Sequence, residues 1–395
     1  MGVFREAFEG LVPTHLSRAP GRVNLIGEHT DYNGLPVFPM ALRQEVGILF
    51  RPRDDATVRF TNSEPEFTPH SFTLSPDIPR EVNGDWGNYL KAPCQALVRR
   101  LGPLKGMDAL LTSTVPVASG LSSSSALVIA VGRALLKANE AEVPTLELAE
   151  EMARAERYTG TQGGGMDQAI SLGAKVGHAS RIEFDPLRMY ETPVPGGWRF
   201  VVAHTLVRAE KSGGAQAAYN RRREECSEAL SVLGAALEPA AAPPTYRELM
   251  TKVPLKALLP MAEDHLPPTL LRRFRHVVTE AVRVYAAEEA MRRSDLLTFG
   301  ILMDASHESL RADYEVSSPE LDRLVALARE GGAAGARLTG AGFGGCVVAL
   351  TEDRHLDGVF SSLQGYYRDR DVYDHLDRVL FLAEPSGGAT VSTLG

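Results

Sequence analysis

Cysteine is scarce. The chain holds three in 395 residues, Cys94, Cys226 and Cys346. They are too far apart for a C-x-x-C metal or redox motif, and so low a count fits a reducing compartment. An excess of basic charge is also missing. Forty-two Lys and Arg face 50 Asp and Glu, for a formal net charge of -8. A nucleic-acid binder usually carries a basic footprint, so no nucleic acid is expected as a partner. No apolar run approaches a membrane span: the longest, ALVIAVGRALL, is broken by Gly132 and Arg133. The opening MGVFREAFEG lacks the apolar core of a signal peptide. Glu6 stands where a myristoylation site has Ser or Thr. The expectation is a cytoplasmic protein without a membrane partner, monomeric by default. Several chemistries are absent as well. There is no Gly-Lys dipeptide and hence no P-loop. There is no G-x-S-x-G of a serine hydrolase. His307-Glu308 is followed by Arg311, not the second histidine of a zinc protease helix.

The composition itself is ordinary. Hydrophobic residues make up 44% and charged residues 23%, which argues against disorder or a fibre. The length of 395 residues, at about 100–200 per domain, implies two domains. Residues up to Ala19-Pro20 read as loop. Alternation around Val23 and Leu25 predicts a strand, and Asp31-Tyr32-Asn33-Gly34 a turn. Residues 45–60 read as a hairpin around a polar turn. Ala109–Val117 reads as a short strand. Helical spacing covers Asn88–Leu101 in spite of Pro93, then Ala126–Ala138, Leu270–Met291 and Leu321–Glu330. It also covers Thr145–Tyr158, with an N-cap and box-like Glu147 and Glu150 near its start. Arg337–Leu350 is a glycine-rich turn followed by a strand, and the Ala/Pro-rich 235–244 a surface connection. No internal repeat occurs. Strands and helices do not strictly alternate, which predicts an α+β fold.

Four segments concentrate the chemistry. In Val115–Leu136 a short strand feeds Gly120, and Ser122–Ser125 open a helix. Helix starts bind anions through unpaired N–H groups and the dipole. One serine suffices for an N-cap; four exceed that need and suit a phosphate, with a hydroxyl available to Mg²⁺. Gly340–Gly345 spells G-x-G-x-x-G, but a strand follows, not the helix of a dinucleotide-binding unit. Its place near the end, without HRD or DFG, is wrong for a protein kinase. It reads as a tight turn between packed elements. In Arg154–Gln168 three glycines precede Asp167, so a ligand can approach the backbone there. Asp167 is either a base or a helix cap, and Glu156 either a Mg²⁺ ligand or a solvated side chain. Gly21–Gly34 packs Arg22, Asn24, Glu28, His29 and Asp31 into an otherwise strand-like, apolar segment. Such polar density suits a polyhydroxylated ligand, whose hydroxyls both donate and accept. No second ligand stands at metal-site spacing from His29.

These residues resemble the GHMP small-molecule kinases, and within them the galactokinases. PGRVNLIGEHTDYNG is similar to the galactokinase signature, SGLSSSSA to the ATP-phosphate loop and LTGAGFGGCVVAL to the third motif. GGGMDQ and FGILMDASHESLRADYEVSSPELD fit too, so the resemblance runs from about Ala19 to Leu350. SGLSSSSALV, AERYTGTQGGGMDQ and IEFDPLR resemble the N-acetylgalactosamine kinase branch more closely, whereas His29-Thr30-Asp31-Tyr32-Asn33 is galactokinase-like.

The resemblance implies a two-domain fold. An N-terminal α/β half like the second domain of ribosomal protein S5, with a left-handed β-α-β unit, spans 1–195. A ferredoxin-like half spans 196–395, and the active site lies in the cleft. It implies Arg22 and Asp167 as the catalytic pair and Glu28, His29, Asp31, Gly165 and Tyr219 as sugar contacts. Trp86 would lie beside the adenine, and Ser119, Gly120, Leu121, Ser122, Ser123, Ser124 and Ser125 would surround the phosphates. Ser124 and Glu156 would hold Mg²⁺. Ala118 departs from the glycine many members have. The implied ligands are ATP and galactose or N-acetylgalactosamine, with phosphate transferred to the C1 hydroxyl. A catalytically silent sugar and ATP sensor is the alternative from another class, and the intact serine loop argues against it.

Overall fold

The computed structural model describes residues 2–116, 119–160, 162–207, 214–237, 243–370 and 372–395. Its strands are β1 (His15–Asn24), β2 (Pro39–Pro52), β3 (Thr57–Asn62), β4 (His70–Thr73), β5 (Met107–Ser113), β6 (His178–Glu183), β7 (Arg188–Pro193), β8 (Trp198–His204), β9 (Gly335–Thr339), β10 (Cys346–Glu352), β11 (Leu380–Ala383) and β12 (Thr390–Thr393). The helices are α1 (Gly2–Ala7), α2 (Gly87–Leu101), α3 (Ser123–Ala138), α4 (Thr145–Glu156), α5 (Met166–Gly173), α6 (Gly214–Leu237), α7 (Tyr246–Lys252), α8 (Leu255–His265), α9 (Pro268–Arg292), α10 (Leu296–Ala312), α11 (Pro319–Glu330) and α12 (Leu356–Tyr367). Among the described residues no helix is long and apolar enough to cross a membrane.

A six-stranded sheet has the order β12-β1-β2-β5-β3-β4. β3 and β5 run parallel; the other pairs are antiparallel. α3 and α5 lie on β1 and β2, with α2 and α4 packed beside them. Strand alternation makes both faces of β5 useful. Met107, Ala109 and Leu111 join the large core, while Leu110 packs with Phe4 and Phe8 on the far side. That contact is why the opening is not loop. Phe4 and Phe8 are buried together against Leu110, and β1 starts well before Ala19. Pro20 is tolerated in β1 because the register to β2 shifts between Pro20 and Arg22.

Residues 45–60 do not form a hairpin, because β5 inserts between β2 and β3. Asp108 of β5, 2% exposed, is gripped from both sides. Arg53, just past β2, donates to it at 3.1 Å and Arg59 of β3 at 2.7 Å. A strand pairing partner 50 residues away thus overrides a plausible local turn. α4 also starts differently. Pro144, with extended ψ of 141°, takes the N-cap position and no side-chain capping bond forms, so the expected box is not made.

The second sheet is antiparallel with order β11-β8-β10-β9. In chain order its strands follow a β-α-β-β-α-β path, with α6–α11 between β8 and β9 and α12 between β10 and β11. Phe200, Val202 and Val348 face the core shared with the first sheet. Val201, Ala203, Val347 and Ala349 face a second core with α11 and α12. Burial on both faces explains the unbroken apolar run of β10. The chain then returns to the first sheet, where β12 pairs with β1. Of the Ala/Pro-rich stretch, 235–237 end α6 and 238–242 lie outside the described residues, as does Ala118.

α10 crosses β9 where two glycines meet. A Cβ on Gly300 would stand 2.0 Å from the Ala334 carbonyl oxygen, and one on Gly335 would stand 2.2 Å from the Gly300 oxygen. Gly300→Ala would gain about 1 kcal/mol of helix propensity. The backbone clash outweighs it, so a net loss of about 2–3 kcal/mol is expected in urea denaturation. A variant as stable as the parent would show that the helix and strand part freely.

Candidate active site

The centre is an ion pair between residues 145 positions apart. Arg22 on β1 donates from Nε to Asp167 Oδ1 at 2.7 Å and from Nη1 to the Gly120 carbonyl at 2.5 Å. Asp167 stands in the first turn of α5, whose N-cap is Gly165 with φ of 108°. Its other oxygen accepts from Ser122 Oγ at 2.5 Å. Burial pulls the Arg22 guanidinium down, but the carboxylates of Asp167, Glu28 and Asp31 outweigh it and hold its pKa above the usual value.

Ser122 is the N-cap of α3 in the left-handed region, φ 63°, and makes no side-chain capping bond. Its hydroxyl faces Asp167 instead. The first bond of the helix runs from the Ala126 N–H to the Ser122 carbonyl at 2.9 Å, so the N–H groups of Ser123, Ser124 and Ser125 have no acceptor within the helix. That is an anion cradle next to an arginine. Ser119 and Leu121 are buried beneath it. Ser124 and Ser125 donate to Glu156 at 3.2 and 2.8 Å, and Gln168 also donates to that carboxylate. Glu156 is 6% exposed, so it is not a solvated surface group. The Gly340 loop packs directly behind. Gly340 has φ of 84°, and a Cβ there would stand 2.6 Å from the Gly120 oxygen. The loop after β9 is a backstop for the serine loop.

The signature segment supplies the other wall. Asp31 begins a 3-10 turn and accepts from the Gly164 N–H at 3.2 Å. Burial first, then the Asp167 charge, push its carboxyl up to about 6. Glu28 accepts from Asn24 Nδ2 at 2.9 Å and the Gly340 N–H at 2.6 Å. Burial nevertheless raises its pKa, against the pull of Arg337 and Arg22. The His29 ring touches Tyr32 Oη at 2.8 Å and the Ala341 carbonyl at 3.2 Å. A carbonyl only accepts, so Nε2 carries the proton and Nδ1 accepts from Tyr32. Burial, then the neighbouring His276, lower its pKa to about 3, so the ring is neutral. Tyr219 on α6 packs on His29 and Tyr32, with ring centroids 5.6 and 5.5 Å away.

Trp86 alone stands apart from this cluster. It caps α2, donates to the Thr68 carbonyl at 3.0 Å and packs edge-on to His70. Tyr158, in the turn after Glu156, donates at 2.8 Å to the carbonyl of Ile78, 80 residues earlier in the chain. Tyr32 and Gln168, both inside motifs read from the sequence, join the site without having been singled out there. So do Tyr314, inside the segment Phe299–Asp322, and His276, Glu280 and Arg337, which lie outside the motifs. An arginine in the apolar strand Gly335–Thr339 was the one available signal.

Three sequence families match the chain: "Galactokinase galactose-binding signature" over residues 2–52, "GHMP kinases N terminal domain" over 88–175 and "GHMP kinases C terminal" over 287–369. The galactokinase of Chloroflexus aurantiacus is 41% identical over 364 residues, 91% of this chain and 90% of that one. The galactokinase of Roseiflexus sp. (strain RS-1) is 38% identical over 382 residues, 93% and 92%. Among solved structures, Lactococcus lactis galactokinase complexed with galactose superposes with a TM-score of 0.84 at 31% identity, covering 98% of both chains. A mevalonate kinase, at 17% identity and TM-score 0.59, shares the fold. Identity of this extent along nearly the whole chain, with the signature match on the very segment that carries Arg22 and Glu28, places the chain among the galactokinases of the GHMP kinase family.

Proposed function

We propose that this chain transfers the γ-phosphoryl group of ATP to the C1 hydroxyl of galactose, giving galactose 1-phosphate and ADP. The observation that carries the residue roles is the contact of Arg22, Asp167 and Ser122 at the open end of α3. The N–H groups at Ser123–Ser125 bind phosphate oxygens. Asp167 orients the C1 hydroxyl and takes its proton as the oxygen bonds to the γ-phosphorus and the bond to the β-phosphate oxygen breaks. The transition state is loose, with charge spread over the equatorial oxygens. Positioning by Asp167 and charge stabilisation by Arg22 therefore matter more than base strength. Glu28, His29, Asp31, the Gly165 backbone and Tyr219 line the sugar side. Trp86 borders the adenine.

The chemistry of the donor set fits Mg²⁺. Ser124 Oγ and Glu156 Oε1, two hard oxygen donors 3.2 Å apart, would hold the ion. When bound there, the metal neutralises phosphate charge. Among the described residues no three His, Cys, Asp or Glu side chains form a metal cage. Nucleotide phosphates and water would supply the remaining oxygen ligands, as is usual for Mg²⁺.

Asp167→Ala and Arg22→Ala are each expected to lower kcat by about 10²-fold or more while remaining folded by circular dichroism. A folded Asp167→Ala enzyme with near-parental turnover would refute the assignment. A coupled ADP-release assay with Mg-ATP is expected to favour galactose over N-acetylgalactosamine; the reverse ranking would move the chain to the acetamido-sugar branch. A third prediction follows from Asp31. Its folded pKa of about 6 exceeds its ordinary 3.8, so the folded chain binds the proton more tightly than the unfolded one. The stabilisation is full below the ordinary value and is lost as pH rises through about 6. Asp31→Asn should therefore raise Tm relative to the parent more at pH 8 than at pH 4.5, and an equal difference at both would exclude the charge crowding.

A further inference from the structure

We propose that α9 is the positioning element of the sugar-binding turn, and that Glu280 sets where Glu28, His29 and Asp31 point; this rests on the sugar-kinase reading above. His276, Glu280 and Val284 are spaced four residues apart and share one face of the helix. All three meet the turn Gly27–His29. Glu280 Oε1 accepts the N–H of Gly27 at 2.8 Å and that of Glu28 at 3.3 Å. His276 Nε2 lies 3.1 Å from the Glu28 carbonyl and therefore donates to it. Gly27 has φ of 98°, and a Cβ there would stand 2.7 Å from Val284 Cγ2 and 2.9 Å from the Val37 Cα. The peptide groups on both sides of Glu28 are thus bonded to α9, and the turn is pressed onto it.

The clamp is itself held. Glu280 also accepts from Ser306 of α10 at 2.6 Å and from Arg283 at 2.7 Å. Arg337 of β9 donates to Ser306 at 3.0 Å and to the Asn24 carbonyl at 3.1 Å. It stands 3.6 Å from both Glu28 and Glu280. Glu280, His276, Ser306 and Arg337 are each 0% exposed. Burial alone would raise the Glu280 pKa, but the Arg283 and Arg337 charges hold it below the carboxylate range. The cluster is closed to bulk solvent, so a lost bond is offset only by moving the backbone. The bonds from α9 end on the main chain of Glu28, the residue whose carboxylate lines the proposed sugar side. Gly340, which backs the serine loop, meets Glu28 at its carboxylate instead, through a 2.6 Å N–H bond. Glu280 falls between the segments matched to the kinase families, which end at 175 and resume at 287. It is a positioning residue, acting through Gly27 and Glu28.

The test is steady-state kinetics at a temperature where all variants are folded. Glu280→Gln removes the charge that Arg283 and Arg337 face and is expected to raise KM for galactose about tenfold, with KM for ATP within about twofold of the parent. In a Glu28→Ala background the same change should raise KM for galactose less than about threefold, because the group it positions is gone. His276→Ala should raise KM for galactose severalfold, and His276→Gln, which keeps an N–H donor, should restore it; this pair decides the matter if Glu280→Gln does not fold. Parallel rises in both KM values, or full additivity with Glu28→Ala, would reduce α9 to a stabilising role. An unchanged KM for galactose with a lowered Tm would do the same. A parent enzyme inactive toward galactose-type sugars would overturn the kinase reading and the proposal with it, a result distinct from an active parent with insensitive variants.

Discussion

The Arg22–Asp167 ion pair is the contact on which the arrangement of the site depends. It ties β1 to the start of α5, and through Gly120 and Ser122 to the start of α3. Desolvating two charges is costly, and an ion pair recovers that cost only with good geometry and further hydrogen bonds. Both conditions hold here: Arg22 has a second acceptor in a backbone carbonyl and Asp167 a second donor in a serine. A pair built this way defines one relative placement of three elements. It fixes the distance between the carboxylate proposed to orient the attacking hydroxyl and the helix start proposed to hold phosphate.

Close backbone packing supplies the rest. The serine loop and the Gly340 loop approach so tightly that neither side tolerates a side chain at Gly340. One loop comes from the first sheet's half of the molecule and the other from the second, so the contact also joins the halves. A glycine-rich sequence that mimics nucleotide fingerprints is here a buttress for the serine loop.

The turn proposed to meet the sugar is crowded with acid groups that burial disfavours. Glu28 and Asp31 both sit above their ordinary pKa, and His29 is held neutral. Such crowding lowers stability, and it makes sense in a pocket where hydroxyl groups of a ligand complete the hydrogen bonding. The compensation comes from the neighbouring arginines and from α9, whose side chains grip the turn from behind.

The sequence by itself determined the local chemistry. Four serines at a helix start, three glycines before Asp167, and the polar run from Arg22 to Asp31 need only short-range geometry to be read, and they converge in the folded chain. The end of β1 around Val23 and the long helix α9 were equally legible. What lies between distant segments was not. The 45–60 stretch reads as a hairpin until Asp108, 50 residues on, is seen gripped by Arg53 and Arg59. Pro144 rather than a hydroxyl side chain starts α4. Glu280 looks like one more charge on an amphipathic helix, and Arg337 like an anomaly in a strand, until the fold sets both against Asn24, Gly27 and Glu28. Pattern and turn chemistry are encoded over a few residues. The pairing of strands and the burial of matched charges are decided only when the sheets and helices pack, because their energies come from partners that the chain order does not place together.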